Sequence, residues 1–210
     1  MKIVVFGASG ETGLQILEQA IEDGHAVTAF VRNKTKLAHL NHDKLSIVVG
    51  DALDETAVEQ AIEGQDVVLS ALGAPVGQDV GVVRSKGTQN IVNGMRKMGV
   101  KRLLSISTIG IRDSIERMNK LTHFVLNRVI GHERLAEAHL QEEIVEESAL
   151  DWTVIRPPRL TNGHATLVYQ ADPQLNTGFF ASLRRADLAD FLLEELSSNR
   201  FNRQFVTVMN

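Results

Sequence analysis

At 210 residues, 43% of them hydrophobic and 23% charged, the chain has the size and composition of one globular domain with a substantial core. A formal net charge of −4, with no run of five or six like charges, excludes the basic field that nucleic-acid binding requires. The lack of cysteine removes disulfides, thiolate metal sites and a thiol nucleophile together, and the seven histidines show no ligand spacing, so no metal site is expected.

No apolar stretch approaches the ~18 residues of a membrane span, and the chain runs into Ile3-Val4-Val5-Phe6 with no hydrophobic leader. A cytoplasmic protein without membrane contact is expected. The run from Ile3 reads as a strand. Gly7-Ala8-Ser9-Gly10-Glu11-Thr12-Gly13 is a glycine-punctuated turn, and Leu14, Ile16, Leu17, Ala20 and Ile21 recur at helical spacing until Gly24. Ala26 to Val31 supplies a second strand, completing a βαβ unit. In such a unit the first glycine permits a sharp exit from the strand, the second lets backbone amides approach a pyrophosphate, and the third lets the helix lie close on the sheet. The helix N-terminus then presents free N–H groups and a positive dipole end to an anion.

The spacing is G-x-x-G-x-x-G rather than the usual G-x-G-x-x-G, and no Gly-Lys-Ser/Thr follows, which disfavours a P-loop. The run Phe-Gly-Ala-Ser-Gly-Glu-Thr-Gly resembles the short-chain dehydrogenase/reductase superfamily. Within it, the run is most similar to the atypical single-domain branch that includes NmrA-like proteins and the biliverdin reductase B/flavin reductase group. Where an NAD site places a carboxylate on the ribose, after the second strand, this chain has Arg32-Asn33-Lys34. A guanidinium there suits a 2′-phosphate, so NADP(H) is expected in preference to NAD(H), and a methyltransferase-type site is disfavoured for want of the same acid.

Thr35 to Leu40 reads as a helical turn and Leu45 to Val49 as the third strand, followed by Gly50-Asp51. Asp51, Ala52 and Leu53 stand at a strand's carboxyl end, where an open parallel sheet binds ligands, and Gly-Asp here resembles the family's adenine-binding motif. Asp51 and Asp54 are equally suited to cap the next helix, Glu55 to Ile62. Strand four, Asp66 to Leu72, leads into Gly73-Ala74-Pro75. By the resemblance Ala71, Leu72 and Gly73 would cover the ribose and nicotinamide half of the cofactor. A long helix is predicted from about Asp79 to Met98, with Gly87 and Gly94 inside it, which implies close packing there.

Strand five, Val100 to Ser107, ends at Thr108. The larger superfamily uses a Ser here with Tyr-x-x-x-Lys on the next helix, where the Lys tunes the phenol as acid or base. Ser107 and Thr108 match the hydroxyl, but the only tyrosine is Tyr169 and it lacks the lysine. The hydroxyls are equally able to satisfy loop backbone groups. Ordinary alcohol/ketone chemistry is therefore disfavoured, and an acceptor that delocalises the added charge, a flavin or quinone, is favoured. Two helices follow, Lys120 to Ile130 and Glu133 to Ser148. The second is read with Leu140 and Ile144 inward and Glu142 among its solvated acids. Where relatives carry a Lys or His near the nicotinamide the register gives Ala138, with His139 adjacent as a candidate catalytic residue.

Ser148-Ala149-Leu150-Asp151-Trp152-Thr153-Val154-Ile155-Arg156-Pro157-Pro158-Arg159-Leu160 resembles the family pattern Ser-Gly-Leu-x-Tyr-Thr-x-x-Arg-Pro-x-x-Leu. Pro157 and Pro158 end strand six and stiffen a loop over the nicotinamide end. Arg159 and His164 are candidate substrate contacts, since a cation beside an aromatic acceptor stabilises developing negative charge. Phe179 to Leu183 is read as a short strand, Ala186 to Leu196 as a helix, and Gln204 to Val208 as the last strand.

One Rossmann-like α/β domain spanning 1–210 is expected, doubly wound on a parallel sheet of strand order 3-2-1-4-5-6-7, with 157–180 as a small substrate-covering subregion. The expected activity is NADPH-dependent hydride transfer to a flavin, quinone or similar small-molecule acceptor. The alternative is a non-catalytic NmrA-like redox sensor acting through a protein partner. A nucleotide-sugar epimerase is disfavoured by length and by the missing tyrosine.

Overall fold

A computed structural model describes residues 1–73 and 81–210. In chain order the elements are β1 (Lys2–Phe6), α1 (Glu11–Glu22), β2 (Ala26–Val31), a 3₁₀ turn (Lys34–Leu37), β3 (Leu45–Val49), α2 (Glu55–Ile62), β4 (Val67–Ser70), α3 (Val83–Met98) and β5 (Arg102–Ile106). A second 3₁₀ turn (Arg112–Arg117), α4 (Lys120–Ile130), α5 (His132–Glu146), β6 (Asp151–Arg156), β7 (Arg159–Thr161), β8 (Gln170–Asp172), β9 (Ser182–Arg184), α6 (Arg185–Ser198) and β10 (Gln204–Met209) complete the chain. Asp79, Ala74 and Pro75 lie outside the described residues.

The main sheet runs β3-β2-β1-β4-β5-β6-β10-β8. Its first seven strands are parallel in the order expected, with β10 as the seventh, and β8 adds an antiparallel edge opposite Thr207 to Met209. Strand β1 shows why the sheet must be covered on both faces. Ile3 and Val5 enter a core with Ile16, Leu17 and Leu192, whereas Val4 and Phe6 enter the opposite core with Ile62, Ile91 and Met95. These four of the five β1 side chains are fully buried, because alternate residues of a strand point to opposite faces and helices lie on each. Helices α1 and α6 pack together on the first face, and α2, α3 and α5 on the second.

Two expectations are corrected. Phe179 and Phe180 do not enter a strand; they sit in an exposed turn, and the strand begins at Ser182, pairing in parallel with β7 as a separate two-stranded sheet. In α5, Leu140 faces out at 46% exposure while Glu142 is fully buried. Arg156 enforces this second reversal. It lies in a central strand at 1% exposure, and a buried guanidinium requires a counter-charge, which Glu142 supplies through two hydrogen bonds of 2.9 and 2.7 Å.

Candidate functional site

Strands β1, β2, β3, β4 and β5 deliver their following loops to one edge of the sheet, and the predicted nucleotide residues gather there. Gly7 leaves β1 at φ +77°, and a Cβ on it would stand 2.5 Å from the Ala71 carbonyl oxygen. A Cβ on Gly13 would collide with the Gly7 carbonyl and come within 2.7 Å of the Ala8 Cα. The turn is therefore closed to side chains on its inner side, with Ala8 fully buried beneath it. Gly10 is exposed and caps α1 with no side-chain hydrogen bond over the helix end; its own amide is spent on the Gly7 carbonyl at 3.0 Å, and the first-turn amides of α1, from Glu11 onward, have no partner within the helix.

Arg32 follows β2 directly, exposed, as is Lys34. Asn33 is partly committed: its side-chain oxygen caps the 3₁₀ turn, accepting from the Thr35 amide and hydroxyl at 2.9 and 2.8 Å. Asp51 accepts from the Leu53 amide at 2.9 Å, and Asp54, not Asp51, caps α2. Ala52 is held from below, where the buried Asn90 on α3 donates to its carbonyl at 2.9 Å. Gly87 makes this approach possible, because a Cβ there would lie 2.9 Å from a Leu72 methyl and 3.3 Å from the Ala52 Cβ. One helix thus supports both the Asp51–Leu53 loop and the Ala71–Gly73 loop. Asn90 is a residue that sequence reasoning missed; its signal was a polar side chain between Gly87 and Ile91 on the helix's inner face.

Ser107 and Thr108 follow β5, with the Ser107 amide donating to Ile155 at 2.8 Å. The Ser107 hydroxyl is buried with no hydrogen-bond partner among the described residues. A buried polar atom of this kind fits a ligand group that reaches it. Together with the glycine turn and the Arg32 cation, it makes the residues present a suitable cradle for a nicotinamide dinucleotide.

The model of the NAD(P)H-binding family matches residues 7–199. The chain belongs to that family. Among solved structures, the family chain is similar to the anaerobilin reductase ChuY of Escherichia coli O157:H7, at 23% identity and TM-score 0.81 over 99% of this chain and 96% of that one. It is also similar to a short-chain dehydrogenase/reductase of Veillonella parvula in complex with NADP, at 16% identity and TM-score 0.86 over 100% and 94%. Sequence relatives include YwnB of Bacillus subtilis, 27% identical over 100% of this chain and 99% of that protein. The photosystem II assembly factor Ycf39 of Synechocystis is 31% identical over 52% of this chain and 34% of its own length.

Within this NAD(P)H-binding frame, the loop after β5 carries the Ser107 and Thr108 hydroxyls, and no phenol accompanies them among the described residues. Tyr169 lies against α6, donating to Asp190 at 2.6 Å and to Glu194 at 3.2 Å. Burial, then the Asp190 carboxylate, raises its pKa far above the ordinary range. His139 pairs with Glu143 at 3.1 Å, half-exposed along α5, while its neighbour Ala138 is the buried one. In place of a lysine on α5, the Arg84 guanidinium of α3 reaches that helix and donates to Gln141 at 3.2 Å. Gln141, fully buried, donates in turn to the Ser105 hydroxyl at 2.8 Å and the Ile106 carbonyl at 3.2 Å. Desolvation lowers the Arg84 pKa to about 10, so it stays cationic at neutral pH beside Gly73. Neither Arg84 nor Gln141 was expected from sequence, because each is placed by packing between α3 and α5.

Pro157 and Pro158 are buried after β6, and Arg159 opens β7 exposed. His164 lies beside α1 and α6. It lines a cleft of about 670 Å³ with Gln15, Glu18 and Glu22 from the later turns of α1 and Asp190 of α6.

Proposed function

We propose that the chain is a cytoplasmic NADPH-dependent reductase whose acceptor is a flavin, quinone or comparable conjugated small molecule. When bound, the nicotinamide supplies hydride. The residues of this chain bind, orient and exclude water: the Gly7 to Gly13 turn for the linking phosphates, Arg32 and Lys34 for the 2′-phosphate, Ala71 to Gly73 and Pro157-Pro158 along the nicotinamide half.

The observation that carries the reading is the pairing of a dinucleotide cradle with a reactive end that holds hydroxyls but no phenol–lysine pair. Such an end offers the Ser107 and Thr108 hydroxyls as hydrogen-bond donors but no strong general acid, which suits an acceptor able to delocalise charge and take its proton from water. The similarity to an anaerobilin reductase is in keeping with reductase activity. Saturable NADPH oxidation with FMN or a small quinone is the expected result. NADPH binding without turnover on any conjugated acceptor, accompanied by dinucleotide-dependent capture of a protein partner, would instead favour the sensor reading, which the same missing acid permits.

A further inference from the structure

The first residue of α1 poses an electrostatic problem. Glu11 sits inside the phosphate turn, and a carboxylate in a helix's first turn is attracted by the same positive dipole end that would receive a phosphate. A free Glu11 would compete with and repel the dinucleotide. Its carboxylate is instead engaged by Arg185 at 2.9 Å. Arg185 opens α6 and is held by a second contact, donating to the Asn162 side chain at 2.8 Å. The start of α6 is fixed beside α1 through Gln19, which donates to the Ala186 carbonyl at 3.0 Å.

Folding stability gives little reason for this pair, since the Glu11 side chain is 66% exposed and surface ion pairs contribute little. Resting on the dinucleotide reading above, we infer that Arg185 is a positioning residue that neutralises Glu11 and so keeps the phosphate turn receptive to a dinucleotide. Its action is sequence-blind toward the ribose, which separates it from Arg32: it affects NADPH and NADH alike.

The test is calorimetric titration of NADPH and NADH into the wild type, Arg185→Gln, Glu11→Gln and the double variant, at low and high salt. Arg185→Gln should weaken both nucleotides by about fivefold to tenfold at low salt, and by less at high salt, as expected for an uncovered like charge near a screened surface. The double variant should return to within about twofold of wild type, because removing the carboxylate removes the need for its counter-ion. Glu11→Gln alone, which leaves the arginine intact, should bind both nucleotides at least as tightly as wild type. Unchanged affinity in Arg185→Gln, a double variant as weak as Arg185→Gln, or weaker binding by Glu11→Gln would each overturn the inference while leaving the cofactor assignment standing. Failure of the wild type to bind either nucleotide would overturn both.

Discussion

Arg32 occupies the position after β2 where an NAD site carries an acid, and its side chain is exposed and free of competing ion pairs among the described residues. A charge-assisted contact to a phosphate is strong enough that Arg32→Ala should weaken NADPH by about 10- to 100-fold, against less than about threefold for NADH. Equal losses, measured by titration, would remove the reason for assigning the phosphate to this end. Ser107 offers a different diagnostic. Its hydroxyl is buried without a partner, so Ser107→Ala should leave the melting temperature of the nucleotide-free protein unchanged or slightly raised, while turnover falls. A drop in stability without a drop in turnover would make Ser107 a scaffold residue.

At the scale of elements, α5 and β6 are joined by an ion pair that neither makes alone. Arg156 sits between Glu142 and Asp113, 2.8 Å from the latter, and its guanidinium stacks 4.3 Å from the centre of the Phe205 ring. Burial opposes the charged form of Arg156, but the Glu142 and Asp113 hydrogen bonds outweigh it and raise the pKa. Glu142→Ala would leave the buried cation with Asp113 alone and should cost about 3 kcal/mol in urea unfolding, the low end for breaking a buried pair, whereas replacing both Arg156 and Glu142 by apolar residues of similar volume should cost much less. Similar losses for the single and double changes would mean that packing, not charge, dominates here. The helical period of α5 predicted its existence, and its bounds to within two residues. It did not predict that Glu142 points inward, because periodicity averages over a face and is blind to one strand arginine that needs a counter-charge.

For the whole molecule, Asp187 ties the 161–168 segment and the C-terminal residue to α6. It accepts from the Thr166 and Leu167 amides at 2.6 and 2.9 Å and from the Asn210 side chain at 2.8 Å. Burial would raise its pKa, yet these donors hold it below the ordinary carboxylate value, and Asp113 is lowered in the same way, with Arg156 and Arg117 outweighing burial. For both groups the folded state binds fewer protons than the unfolded chain in the acid range. Their stabilisation is therefore complete above the unfolded value near pH ~4 and is lost as pH falls through the lower folded value. Asp187→Asn should lower stability at neutral pH and flatten the acid limb of the stability profile. Faster hydrogen exchange at the Thr166 and Leu167 amides would report the same loss locally; an unchanged acid limb would place the protons elsewhere.

The sequence by itself determined the βαβ opening, the glycine turn and the cation after β2, because each is written in local signals: β-branched runs, glycine spacing and a single residue type at a strand's end; the order of the parallel strands followed from their alternation with helices, and the antiparallel β8 edge had no such signal. The sequence also showed that Tyr-x-x-x-Lys is missing, whereas the fold decided that the one tyrosine, Tyr169, lies against Asp190 and Glu194. Only the tertiary structure decided that Arg84 reaches Gln141 and Gln141 reaches Ser105, that Asn90 holds Ala52, that Arg185 engages Glu11, and that His164 lines a cleft beside α1. These are contacts between residues from 36 to more than 170 positions apart in some cases and between helices whose facing sides are chosen by packing. Burial then forces each polar group to find its partner wherever the fold has brought one, and no local pattern records where that will be.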